Sequence, residues 1–199
     1  ACNEEKVERD CPRGTEHSWN PSNKDTTDRL NRFYSLDDLI SAEYEKGNYE
    51  TAIEYTNEYL ELADIYKENW NFGNAIHDSY RYLGLISYNQ GDLNQAAKYL
   101  VKSSESTGSP QLDTFGPELD LANLLLQEGK IEEVTVYLNG IKKFWEMDNG
   151  VINNWLEQIN NGEQPELSKF GGHQITLTQK IVSWLSLLWP VIISLIIYF

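Results

Sequence analysis

The sequence predicts an all-α fold: a helical-hairpin solenoid of about three repeats with a capping helix, followed by a single transmembrane helix. Three observations predict it. Apolar residues recur at three- and four-residue steps from Leu30 to Trp145. A glycine closes the helical pattern at Gly47, Gly91 and Gly129, with similar residues around it each time. The last stretch, Ile181 to Phe199, carries no charged residue. The first is the period of an amphipathic helix, the second marks a repeating hairpin, and the third fits a bilayer.

A chain of 199 residues is long enough for one domain with a real core plus an appendage. Lys and Arg total 16 against 31 Asp and Glu, a formal net charge of −15. That charge repels nucleic acid, so no DNA or RNA partner is expected. Residues 1–29 are polar, with Pro12, Gly14 and Pro21 and almost no apolar period, and read as a flexible arm. Order is expected from Leu30. Leu36, Leu39, Ile40 and Tyr44 line one side of a first helix that ends at Gly47, with Ser35 as its N-cap ahead of Asp37 and Asp38. Tyr49, Ala52, Ile53, Tyr55, Tyr59, Leu60, Leu62 and Ala63 mark the inner side of a second.

Aligning Gly91 with Gly47 puts Leu83 on Leu39, Tyr88 on Tyr44, Asp92 on Asn48, Leu93 on Tyr49, Ala96 on Ala52 and Tyr99 on Tyr55. Leu121, Ala122, Leu126, Gly129, Ile131, Val134 and Tyr137 take the same places in a third copy. The glycines stand 44 and 38 residues apart, a period suited to a helical-hairpin solenoid. Small residues at Gly84, Ala122, Ala52 and Ala96 let paired helices approach, and the turn glycine supplies the left-handed backbone that closes a helix. Ser104 to Asp120 reads as an inter-repeat connection, with Pro117 in the first turn of the next helix. Val151, Ile152, Trp155, Leu156 and Ile159 form a short helix that caps the array. The repeat domain thus spans 30–162, a linker containing Gly171-Gly172 spans 163–180, and the transmembrane helix spans 181–199. As a helix its nineteen residues cover about 28 Å.

The pattern around the middle glycine, Tyr80, Leu83, Gly84, Tyr88, Gly91, Asp92, Leu93, Ala96 and Tyr99, resembles the tetratricopeptide repeat. Ile40 replaces the small residue of the first copy, Val134 replaces the Ala of the third, and no copy ends in the family's usual proline. The long units imply extended helices between Glu50 and Tyr66 and between Asn71 and Asn89. "NWNFGNAIH", "GSPQLDTFGP" and "NNWLEQI" also resemble a group of uncharacterised bacterial proteins of this repeat type, which implies a bacterial origin but no activity.

The resemblance implies a concave groove lined by the first helix of each hairpin. Its positions fall on Asp37, Ser41, Tyr44 and Glu45, then Asp78, Arg81, Leu85, Tyr88 and Asn89, then Leu119, Asn123, Leu126 and Gln127. The chaperone-binding members of the family clamp a terminal carboxylate with basic and amide side chains. Asp37 and Ser41 stand where a Lys and an Asn would be wanted, which argues against that ligand. Arg81 with Asn123 remains suited to a ligand carboxylate. The expected partner is a protein or peptide, with the bilayer engaged through 181–199.

No HExxH, CxxC, GxSxG, P-loop or dinucleotide fingerprint occurs, so no catalytic residue, cofactor or metal is expected. His77, beside Asp78 and Arg81, is the one local group that resembles a site. Lys169 and Lys180 on the N-terminal flank of the apolar run favour a cytoplasmic repeat domain. Oxidation of Cys2 and Cys11, or lipidation of Cys2, would instead place it outside the inner membrane. The functional expectation is a membrane-anchored interaction module, a scaffold or accessory subunit of a membrane complex. The alternatives are an immunity or inhibitor protein against a toxic partner, and the extracytoplasmic sensor of a truncated signalling protein.

Overall fold

The computed structural model describes residues 21–168. They form eight α-helices: α1 (Pro21–Glu45), α2 (Tyr49–Ile65), α3 (Phe72–Asn89), α4 (Leu93–Ser103), α5 (Pro110–Phe115), α6 (Asp120–Gln127), α7 (Ile131–Ile141) and α8 (Val151–Asn160). Packing follows chain order. α1 pairs with α2, α3 with α4 and α6 with α7, while α2 packs on α3, α4 on α6 and α7, and α8 on α7. The helices that open each pair also touch, α1 with α3 and α3 with α6.

The three pairs turn in the same way. Gly47, Gly91 and Gly129 have φ of 78°, 84° and 78°. In each turn the glycine N–H donates to the carbonyl three residues back, and the next N–H donates to the carbonyl five back: Asn48 to Glu43, Asp92 to Ser87 and Lys130 to Leu125, all at 2.9 Å. This closure satisfies helix-end carbonyls at a backbone angle that glycine adopts without strain. Asp92 then caps α4 through a bond from the Gln95 N–H at 2.9 Å. Tyrosines three residues before the first two glycines tie neighbouring pairs together. The Tyr44 hydroxyl accepts from Asn89 Nδ2 at 3.0 Å, and the Tyr88 hydroxyl donates to Glu128 at 3.1 Å.

One core runs through the stack, from Phe33, Leu36 and Ile40 of α1 to Ile152, Trp155 and Ile159 of α8. At Gly84 the α3 backbone lies against the Ala96 carbonyl, the Tyr99 Cβ and the Leu121 side chain, so the small residue serves contacts with both α4 and α6.

Four local expectations are corrected. α1 begins at Pro21 rather than near Leu30, because a helix anchored by Phe33, Leu36 and Ile40 extends backwards through residues that carry no apolar stripe of their own. Ser35 is therefore inside the helix, not its cap, and its hydroxyl donates to the Arg32 carbonyl at 2.9 Å. The inter-repeat connection contains a helix, α5, capped by the Ser109 hydroxyl on the Leu112 N–H at 3.0 Å. Pro117 precedes the α6 N-cap, Leu119, instead of sitting in the first turn. Among the described residues no helix is long and apolar enough to cross a membrane, and the predicted span 181–199 lies outside them.

Candidate functional site

Of the groove positions expected from sequence, Asp37, Asp78 and Arg81 come together. They line a cavity of about 350 Å³ with Asn74 and Tyr82 of α3, and with Gln111, Leu112, Phe115, Gly116 and Glu118 from α5 and the turn after it. Two walls are thus successive first helices, and the third is the connection. Phe115 is 69 % exposed at the rim.

The polar groups of this cavity are held from behind. Arg81 Nε donates to Asp120 Oδ1 at 2.8 Å and Nη2 to Oδ2, a fork that matches guanidinium to carboxylate. The guanidinium also lies 4.7 Å from the Tyr82 ring centroid. Burial works against the Arg81 charge, but the bonds to Asp120 outweigh it and hold the group well above its ordinary value. Asp78 is fixed by His77, whose Nδ1 is 2.9 Å from its carboxylate. The His77 ring has 0 % exposure, with Nε2 3.5 Å from the Tyr137 hydroxyl, which donates to the Glu118 carbonyl at 3.2 Å. This histidine bridges α3 to α7 inside the core, out of reach of a substrate. Among the described residues no group of three His, Cys, Asp or Glu side chains is arranged to hold a metal.

Asp37 faces the cavity from α1. Burial, reinforced by the charge of Asp78 and opposed by that of Arg81, pushes its carboxyl up from 3.8 to about 6. Among the described residues that line the cavity, Arg81 is the only cation, and it is committed to Asp120. The open side of the site therefore presents the Asp37 carboxylate, suited to a cationic group.

The Asp37 shift has a sign that stability measurements read. Between pH 4 and 6 the folded chain holds the proton more tightly than the unfolded one, so stability falls as pH rises through that window and stays reduced above it. With solvent still reaching the carboxylate, Asp37→Asn is expected to add about 1–2 kcal/mol at neutral pH. The melting temperature should rise by about 2–8 °C at pH 7 and change little at pH 4. An equal gain at both pH values would show that the carboxylate is not strained by its setting.

The remaining predicted positions are dispersed. Ser41 hydrogen-bonds the Tyr82 phenol, whose pKa burial raises. Tyr44, Tyr88 and Asn89 form the ties between turns described above, while Glu45 and Gln127 are exposed. Leu85, Leu119 and Leu126 are buried in the core and present no surface. Asn123 does not meet Arg81 at a ligand carboxylate; its amide is bonded to the backbone of Leu167. Sequence reasoning missed Asn74, Tyr82, Gln111, Leu112, Phe115, Gly116 and Glu118. The available signal was Phe115, an aromatic next to Gly116-Pro117 in a connection otherwise poor in large apolar residues.

No protein-family model, curated protein or solved structure matches the chain. Its class therefore comes from the coordinates: an all-helical domain of eight packed helices among the described residues, stacked in sequence order.

Proposed function

We propose that this chain is an interaction module of tetratricopeptide-repeat type, which holds a protein or peptide partner along its first helices at a membrane surface. Three aligned hairpins with the same glycine closure support the repeat reading. The uncharged run 181–199 supports the membrane. One observation carries the binding reading: the cavity between α1, α3 and α5 combines the half-buried Asp37 carboxylate with the exposed Phe115 ring. A partner segment with a Lys or Arg beside an apolar side chain matches both. The cation offsets the burial and, after it, the charge of Asp78 that together raise the Asp37 pKa, and the apolar group covers Phe115. Arg81, Asp78 and their backing residues keep the walls in place before the partner arrives, which lowers the ordering cost of binding.

The test is affinity purification of the full chain from native membranes in mild detergent, with quantitative mass spectrometry of what accompanies it. Asp37→Asn and Phe115→Ala run in parallel. Both variants should retain the fold, since the first relieves strain and the second removes an exposed ring. Each should lose the main partner by about tenfold, the equivalent of about 1.4 kcal/mol. Equal recovery with wild type and both variants would refute the site.

A further inference from the structure

The segment that leaves α8 returns across the array. Gly162 closes α8 with the same pair of bonds as the repeat turns, Gly162 to Ile159 at 3.0 Å and Glu163 to Gln158 at 2.9 Å. Residues 163–168 then lie against α6. Asn123 Nδ2 donates to the Leu167 carbonyl at 2.8 Å, and Asn123 Oδ1 accepts from the Leu167 N–H at 2.8 Å. Gln164 Nε2 reaches the Leu126 carbonyl at 3.5 Å. The Leu167 side chain is 3 % exposed and joins the main core, and Pro165 is buried, while Glu163, Gln164 and Glu166 face solvent.

An amide side chain that satisfies both groups of one backbone residue reads main chain, and any extended segment offers the same two groups. In this structure the backbone that Asn123 holds is the chain's own. Among the described residues the hold is local: one amide fork, one leucine, one proline and one long bond. Attachments of this size open without unfolding the elements beneath them.

We propose that residues 163–168 are a releasable strap that fills the α6 end of the groove as an intramolecular peptide ligand, so that an extended partner segment engages Asn123 only when the strap lifts. The strap regulates the groove proposed above and rests on that reading. A tethered segment competes at an effective concentration of order millimolar, so a free peptide of equal intrinsic affinity does not displace it. A partner already anchored in the Asp37 and Asp78 cavity shares that advantage, which makes occupation of the two ends sequential.

The test uses the full chain in detergent micelles and a synthetic peptide copying residues 162–169. The reporter is the nuclear magnetic resonance signal of the Asn123 side-chain amide. Leu167→Asp expels the strap while leaving α6 unchanged, and Leu167→Ala loosens it more gently. In Leu167→Asp the helical circular dichroism should persist and the Asn123 signal should move. Millimolar peptide should return the signal toward its wild-type position, and wild type should respond at least about tenfold more weakly. Loss of helix in both variants would make the segment part of the core and overturn the strap. So would a peptide that leaves Asn123 unmoved in the strap-free chain, or one that moves it equally in wild type. These outcomes need only the chain's own sequence, so they stand whether or not the membrane purification yields a partner.

Discussion

Gly73→Ala is expected to cost about 3 kcal/mol, lowering the melting temperature by about 6–12 °C. A Cβ at this position would overlap the carbonyl of Gly108, and backbone cannot swing aside as the tip of a side chain does. The crossing is pinned as well as close. The Ser106 hydroxyl donates to the Gly73 carbonyl at 2.7 Å and accepts from the Gly108 N–H at 3.1 Å. Ser109 donates to Asn74 Oδ1 at 2.5 Å just beyond. Pushing the connection off α3 would therefore also move α5, and with it Gln111, Leu112 and Phe115, so on the proposed function the variant should lose partner capture at temperatures where it is still folded. Gly91→Ala is the control. Nothing lies within 4 Å of its missing Cβ, so only the left-handed backbone is penalised, by about 1 kcal/mol. Thermal melts that rank Gly91→Ala as the more damaging would reject the crossing as the tighter constraint.

Asp120→Ala should destabilise by about 2–3 kcal/mol, because it strands a guanidinium that cannot turn to water. The Arg81 side chain is only 14 % exposed, whereas Asp120 is 42 % exposed, so the cost falls on the arginine left behind. Removing the charge as well should recover most of the loss, so Arg81→Met with Asp120→Ala is expected to be more stable than Asp120→Ala alone. Denaturant titration of the three variants reads this directly. If the double variant is no better than the single one, the pair matters for packing and not for charge. On the proposed function, the Arg81 charge left without Asp120 beside the Asp37 carboxylate should also weaken binding of a cationic partner segment.

Much of the helical layout could be read from residues near the turns. The periods around Gly47, Gly91 and Gly129 located α2, α3, α4 and α7 closely, and Val151 to Ile159 located α8. These features are local, since an apolar stripe and a left-handed glycine act within a few residues of themselves. The start of α1 escaped because its first turns lack a stripe. Helix α5 escaped because six residues are too few to show a period, although Ser109-Pro110 is a recognisable helix start. Of the residues lining the candidate cavity, Asp37, Asp78 and Arg81 are among the positions that the tetratricopeptide resemblance implied, but the third wall belongs to a connection outside that pattern.

By itself, the sequence determined the helix class, the order of the hairpins and the positions of their turns, because backbone preference and hydrophobic period are written residue by residue. Tertiary structure alone decided which polar groups remain available. Arg81 is taken by Asp120, Asp78 by His77 and Asn123 by Leu167, across separations of 39, 1 and 44 residues. Only the middle pairing lies within reach of a local pattern. The other two depend on where the connection and the returning strap meet helices that the chain had left long before, and that meeting is set by backbone contacts such as Gly73 on Gly108.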